Sequence, residues 1–195
     1  MLNLITNLTH KIEDRAVRAG FAFRVASGYY RDVIEREATL ASITKDDHIL
    51  CIGGGICPFS AILFHQRTGA RVTVIDNNAA CIPKAREVIA RLGLADFLTV
   101  IHQDGDCPDL QFDNFSVIHL ALQVSPMERV FARAVAATAP GTRLLIRRPK
   151  KYLANIYCPS FTGALDDKPY TTHKSRNIGC TLLYIKQDGE LNGDN

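Results

Sequence analysis

Three consecutive glycines, Gly53-Gly54-Gly55, close a short apolar run, His48-Ile49-Leu50-Cys51-Ile52, and Asp76 stands 21 residues after the last of them. Glycines let a backbone pass close to a ligand and adopt positive φ. A helix opening behind them presents unpaired N–H groups and a positive dipole end. A carboxylate closing the next strand can accept hydrogen bonds from both hydroxyls of an adenosine ribose. The combination predicts a site for an adenosine-containing cofactor. The competing role is purely structural: a tight glycine turn between packed elements, with Asp76 capping the next helix. The dinucleotide fingerprint G-x-G-x-x-G is incomplete, because Gly53 and Gly55 fill its first two positions and Pro58 occupies the third. Proline removes a donor and adds bulk where close helix–sheet packing favours glycine. A cofactor without a pyrophosphate fits better, and S-adenosylmethionine is the candidate.

Other side chains near the expected strand ends could take part. Tyr29 and Tyr30 precede an amphipathic stretch and could orient an amine or a sulfonium; packing on the sheet competes for one of the two. Arg147 closes an expected strand and could pair with a substrate carboxylate. It also opens the basic run Arg147-Arg148-Pro149-Lys150-Lys151, which reads equally as a solvated face. Glu35 could act as a base, but an exposed helix-face position suits it better. His119 reads as a satisfied core histidine, and Ser60 as a cap or ligand contact, since G-x-S-x-G is absent. His65, His102 and His173 show no metal-ligand spacing, and no C-x-x-C pair exists among the six cysteines, so no metal is expected.

The elements that must position these groups follow from periodicity. Residues 1–47 read as a helical segment, with breaks at Gly20 and Ser27-Gly28, and an amphipathic helix from Tyr29 to Ile43. Strands are expected at His48–Ile52, Ala70–Ile75, Phe97–His102, Ser116–Leu122, Thr142–Ile146 and Cys180–Lys186. Helices are expected at Phe59–Arg67, Asn78–Leu92 and Pro126–Ala137. The stretch 104–114 is loop-like, and 160–176 is polar and rich in turn formers. Alternating strands and helices indicate right-handed βαβ units, hence an α/β, Rossmann-like, doubly wound and mostly parallel sheet. The organisation is an N-terminal helical segment (1–47), a cofactor-binding domain (48–187) and a flexible tail (188–195).

Composition narrows the classes further. Of 195 residues, 47% are hydrophobic and 22% charged, which fits a folded domain rather than a disordered chain. No apolar run approaches the ~20 residues that a bilayer needs, so no membrane partner is expected. A net charge of +3 gives no support to nucleic-acid binding. The cysteines suit small buried hydrophobes, and the first residues lack a secretory pattern, so the expected location is cytoplasmic.

Residues from about 48 to 186 resemble the S-adenosylmethionine-dependent enzymes of the class I methyltransferase fold. Gly53, Gly54 and Gly55 stand at that superfamily's glycine loop, Asp76 at its ribose acid, and Asp104-Gly105 where an adenine-contacting acid often lies. The resemblance also places Asn77 and Ala121 among the cofactor-binding residues. Cys51 replaces the acid often found before the loop, and Cys57 stands at a common third glycine. A narrower likeness is to nicotianamine synthase: Gly53-Gly54-Gly55-Ile56-Cys57-Pro58-Phe59-Ser60 is similar to its glycines followed by P-L-P-L-T, with Pro58 and Ser60 matching and Ile56 departing. Leu144-Leu145-Ile146-Arg147, Ala154-Asn155-Ile156-Tyr157-Cys158-Pro159 and the stretch from Tyr30 to Glu37 resemble further parts of that family. The resemblance implies aminocarboxypropyl transfer to a small-molecule amine or amino acid, with Tyr30, Arg147 and Tyr157 as catalytic candidates and Pro58 and Ser60 at the cofactor. Only about 47 residues precede the first strand, fewer than that family's helical cover; a homodimer or partner chain would complete the lid. Three other readings stay open: a small-molecule methyltransferase, a non-catalytic cofactor-binding subunit, and a nicotinamide dehydrogenase, which Pro58 disfavours.

Overall fold

A computed structural model describes residues 20–153, 165 and 167–188, with side chains from residue 28 onward. In chain order the elements are α1 (Gly20–Leu40), β1 (His48–Ile52), α2 (Phe59–Thr68), β2 (Arg71–Asp76), α3 (Cys81–Arg91), β3 (Leu98–His102), β4 (Val117–Leu120), α4 (Met127–Ala137), β5 (Arg143–Pro149), a 3-10 turn (Lys151–Leu153), β6 (Tyr170–Thr172) and β7 (Ile178–Ile185). They form one seven-stranded sheet in the order β3-β2-β1-β4-β5-β7-β6. β1 to β5 are mutually parallel, while β7 runs antiparallel to β5 and to β6. This is the class I methyltransferase variant of the Rossmann-like fold, as the sequence leads one to expect.

Parallel strands are buried on both faces, which is why β1, β2, β4 and β5 read as continuous apolar runs. Alternate residues feed two cores. Ile49, Cys51, Val72, Val74, Val117 and Leu145 meet Ile34 and Ala38 of α1, Ile62 of α2 and Val88 of α3. Leu50, Ile52, Ile118, Leu120, Leu144 and Ile146 meet Val130 and Ala134 of α4 on the other face.

Three expectations need correction. The helix α1 runs unbroken through Ser27-Gly28. Glycine inside a helix costs about 1 kcal/mol, and here burial of Val33, Ile34, Ala38 and Ala41 in the core offsets it. β5 extends to Pro149 rather than ending at Ile146, because β7 pairs with it along its length, Arg147 opposite Thr181 and Pro149 opposite Ile178. The polar stretch 160–176 contains β6, a three-residue edge strand too short to show a period. The loop-like reading of 104–114 holds: residues 103–116 form turns, with Phe112 buried beneath them. Tyr157, the rest of 154–164 and the tail from 189 lie outside the described residues.

Candidate active site

A cleft of about 710 Å³, mouth included, opens at the carboxyl ends of β1, β4 and β5. That is where open α/β sheets bind ligands, at the reversal of strand order. Its lining includes Tyr29, Tyr30, Cys51, Gly53, Gly54, Pro58, Ser60, His119, Ala121 and Arg147 of the residues singled out from sequence, and Asn177 in addition; Gly55, Asp76, Asn77, Asp104 and Gly105 stand outside it.

One wall is backbone. Gly53 and Gly55 take φ of 86° and 63°, a region that favours glycine. A Cβ on Gly54 would stand 2.2 Å from Val74 Cγ1, so no side chain fits there. Gly53 and Gly54 both donate to the Ile75 carbonyl, at 2.9 and 3.3 Å. Asp76 accepts from the Gly55 N–H at 2.7 Å through one oxygen and from the Asn78 N–H at 2.9 Å through the other. The acid therefore fixes the glycine loop and also turns the chain toward α3. Each oxygen keeps further acceptor capacity for a ribose hydroxyl. Asn77 and Asp104 meet across the ends of β2 and β3 at 3.4 Å, and Asp104 is exposed. Gly105 is buried for a packing reason: a Cβ there would lie 2.8 Å from Ile52 Cγ2.

The other wall is built from side chains far apart in sequence. Arg147 is buried, so it is not a solvated cation. Its Nε and Nη2 donate to the two oxygens of Glu37, both at 2.8 Å, and its Nη1 donates to Ser60 Oγ at 2.9 Å. Thr181 Oγ1 donates to Glu37 Oε1 at 2.6 Å, and His173 Nε2 lies 2.8 Å from that hydroxyl. Because the carboxylate can only accept, Thr181 spends its proton on Glu37 and must receive one from His173, which fixes the Nε2–H tautomer. Burial pushes the Glu37 carboxyl up, but the charge and hydrogen bonds of Arg147, with His119 and Thr181, outweigh it and hold the group at about 2. Glu37 thus stays ionised beneath the cleft. In the sequence it reads as one charge among several on an amphipathic helix; only Arg147, 110 residues away, reveals its role.

His119 was expected to be a satisfied core residue. It is buried, but neither ring nitrogen has a hydrogen-bond partner among the described residues, and Nε2 lies 3.6 Å from Glu37 Oε2. Burial, then the charge of Arg147, push it down to about 3 against the pull of Glu37, so it stands neutral. Burial also pushes the Cys51 thiol up to about 12, which keeps it an inert floor. Ser60 is no helix cap: Pro58 occupies that position and Ser60 faces Arg147. Glu35 sits outside the cleft, paired with Arg67 at 2.6 Å on the surface. The Tyr30 ring stacks on Phe59 with centroids 5.8 Å apart, and Arg147 Cζ lies 5.8 Å from its centroid. The five described cysteines are free thiols, and no cluster among the described residues could hold a metal. No helix among them is long and apolar enough to cross a membrane.

No family model matches the chain. Among curated proteins, trans-aconitate 2-methyltransferase of Paracidovorax citrulli (strain AAC00-1) is 36% identical over 109 residues, 55% of this chain and 40% of its own length. L-histidine 2-aminobutanoyltransferase of Yersinia pestis is 23% identical over 130 residues, 67% of this chain and 48% of its own. The chain spans less than half the length of these curated relatives. The solved structure of the nicotianamine synthase MtNAS in complex with MTA and tNA matches at a TM-score of 0.75 and 23% identity, over 94% of this chain and 72% of that one. The match to the MtNAS structure shows a shared fold. The likeness takes in almost all of the chain, and so more than the glycine-loop half.

Proposed function

We propose that the chain is an S-adenosylmethionine-dependent transferase that moves an aminocarboxypropyl group to a small-molecule amine or amino acid. The observation that carries this reading is the cleft itself, where a side-chain-free glycine loop pinned by Asp76 faces Tyr30, Ser60 and Arg147. The residues suit the donor: Gly53, Gly54 and Gly55 would leave room for it, Asp76 and Asn77 would take the ribose, and Asp104 with Gly105 the adenine. Pro58 and Ala121 shape the cleft between the loop and β4, and Ser60 is held toward it by Arg147.

When bound, S-adenosylmethionine supplies a sulfonium open to in-line attack, in which a nitrogen–carbon bond forms, the carbon–sulfur bond breaks with its electron pair kept on sulfur, and the nitrogen loses one proton. The protein's part is positioning, which can supply much of such a rate. Tyr30 presents an aromatic face held rigid by Phe59. Arg147 has two of its five N–H groups left after Glu37 and Ser60 are served, enough for one ligand oxygen. Neutral His119 adds no positive charge to the floor, which a sulfonium would meet as repulsion.

Support for this reaction over others comes from the breadth of the match to MtNAS, and from the transfer named for the Yersinia pestis relative. Methyl transfer is the second reading, favoured by the 36% identity to a methyltransferase. Incubation with S-adenosylmethionine and a pool of amino acids, followed by mass spectrometry, separates them. Methylthioadenosine with a new amino-acid adduct is the expected result. S-adenosylhomocysteine with a methylated product would establish the second reading, and no uptake of the donor would remove both.

A further inference from the structure

The two adjacent tyrosines of α1 are in different situations. Tyr30 lies flat on Phe59 beside Arg147. Tyr29 stands edge-on to it, centroids 5.1 Å apart at 84°, and its oxygen reaches the turn between β6 and β7. There it accepts the Arg176 N–H at 2.8 Å and the Asn177 N–H at a longer 3.4 Å. The turn itself is held from several sides. Lys150 N donates to the Asn177 carbonyl at 2.9 Å, Tyr152 Oη donates to the Arg176 carbonyl at 2.6 Å, and Ser175 Oγ exchanges hydrogen bonds with Ile178. The Tyr29 oxygen is therefore fixed at the cleft wall, next to Asn177 and Ile178.

A phenol has one proton to give and two lone pairs to offer. Both lone pairs of Tyr29 are taken by backbone N–H groups, and no acceptor takes its proton among the described residues. The group is left with a single polarity: it can donate, and it cannot accept from an ammonium. Two N–H groups feeding the oxygen also polarise the remaining O–H bond and strengthen the one it makes.

We propose that Tyr29 is a specificity-determining residue whose hydroxyl donates to a carboxylate or carbonyl oxygen of the acceptor molecule. This rests on the transferase reading above. It separates two jobs within the acceptor: its nitrogen faces the donor, while an oxygen elsewhere in the molecule is gripped by Tyr29. An amine without such an oxygen leaves the phenol proton to water and binds more weakly.

The test uses the full chain loaded with methylthioadenosine and titrated by calorimetry with matched probes: histidine against histamine, and alanine against ethylamine. Binding of methylthioadenosine is measured first; if it fails, the transferase reading falls and this role falls with it. With the nucleoside bound, the wild type is expected to favour each carboxylate-bearing probe by tenfold or more. Tyr29→Phe should lose most of that preference while keeping its affinity for the two plain amines and for methylthioadenosine. Tyr152→Phe, which loosens the same turn from outside the cleft, should keep the preference. The role is overturned if the loaded wild type shows no preference or binds none of the probes. It is overturned equally if Tyr29→Phe weakens both members of a pair alike, or if Tyr152→Phe erases the preference.

Discussion

The two walls of the cleft are made of different material. The glycine-loop wall is backbone, set by contacts close in sequence: Asp76 reaches the Gly55 N–H across 21 residues within one βαβ unit. The opposite wall is an assembly of side chains, with Glu37 meeting Arg147 across 110 residues and Thr181 across 144. A backbone wall is shaped by torsion angles and tolerates water. A buried ion pair tolerates neither water nor the loss of one member. The first wall suits an invariant moiety such as a ribose, while the second ties α1, β5 and β7 into one rigid surface against which an acceptor can be held.

This contrast can be broken experimentally. The largest effect is expected at Glu37. Glu37→Leu leaves Arg147 buried without its counter-charge and should cost about 3–5 kcal/mol in urea unfolding, whereas adding Arg147→Met should restore much of it. A loss below about 1 kcal/mol, the range of exposed pairs, would mean that the side-chain wall is no more cooperative than the surface. At Asp76 the expected effect falls on binding. Asp76→Ala should weaken S-adenosylmethionine by roughly 1.5–3 kcal/mol, as for a lost charged acceptor, with calorimetry as the readout; unchanged affinity in a folded variant would remove the ribose assignment.

A pH series sharpens the comparison, since the perturbed groups lie under the side-chain wall. His119 stands at about 3 in the folded chain, against 6.5 for an ordinary histidine, and Glu37 at about 2 against 4.5. In both cases the unfolded chain takes the proton first. Stability should fall as the pH drops from 6.5 toward 3, with a slope up to about 1.4 kcal/mol per pH unit for each proton. Cys51 has the opposite sign: its thiol is raised from 9.0 to about 12, so stability should fall again as the pH rises above 9. Urea midpoints between pH 3 and 7 check the acid limb, and His119→Phe should flatten its upper part. The smallest effect is expected on the solvent side of α1. Asp32 and Arg36 pair there at 3.0 Å with side chains 54% and 41% exposed, and Asp32→Ala should move unfolding by no more than about 0.5 kcal/mol.

What could be read in advance divides along the same line. Gly53, Gly54, Gly55 and Asp76 are legible because a strand, a glycine turn, a helix and a second strand are consecutive, and their meeting follows from local geometry and right-handed crossover. Tyr30, Ser60 and Ala121 do reach the cleft, but sequence could not say what holds them there. The pairing of Glu37 was invisible, since an acid on an amphipathic helix is ordinarily solvated and nothing local points it inward. The same blindness made Arg147 look like part of a basic run, because the strand was expected to end at Ile146 before its pairing with β7 was known.

By itself, then, the sequence determined the alternation of strands and helices, the glycine loop and the acid that closes the second strand. Tertiary structure alone decided which charge is buried with which, that Tyr29 meets the β6–β7 turn, and that His119 stays neutral. The physical reason is range. Torsional preference and hydrophobic period act over a few residues, while a desolvated ion pair or a filled lone pair exists only once distant segments have packed and excluded water.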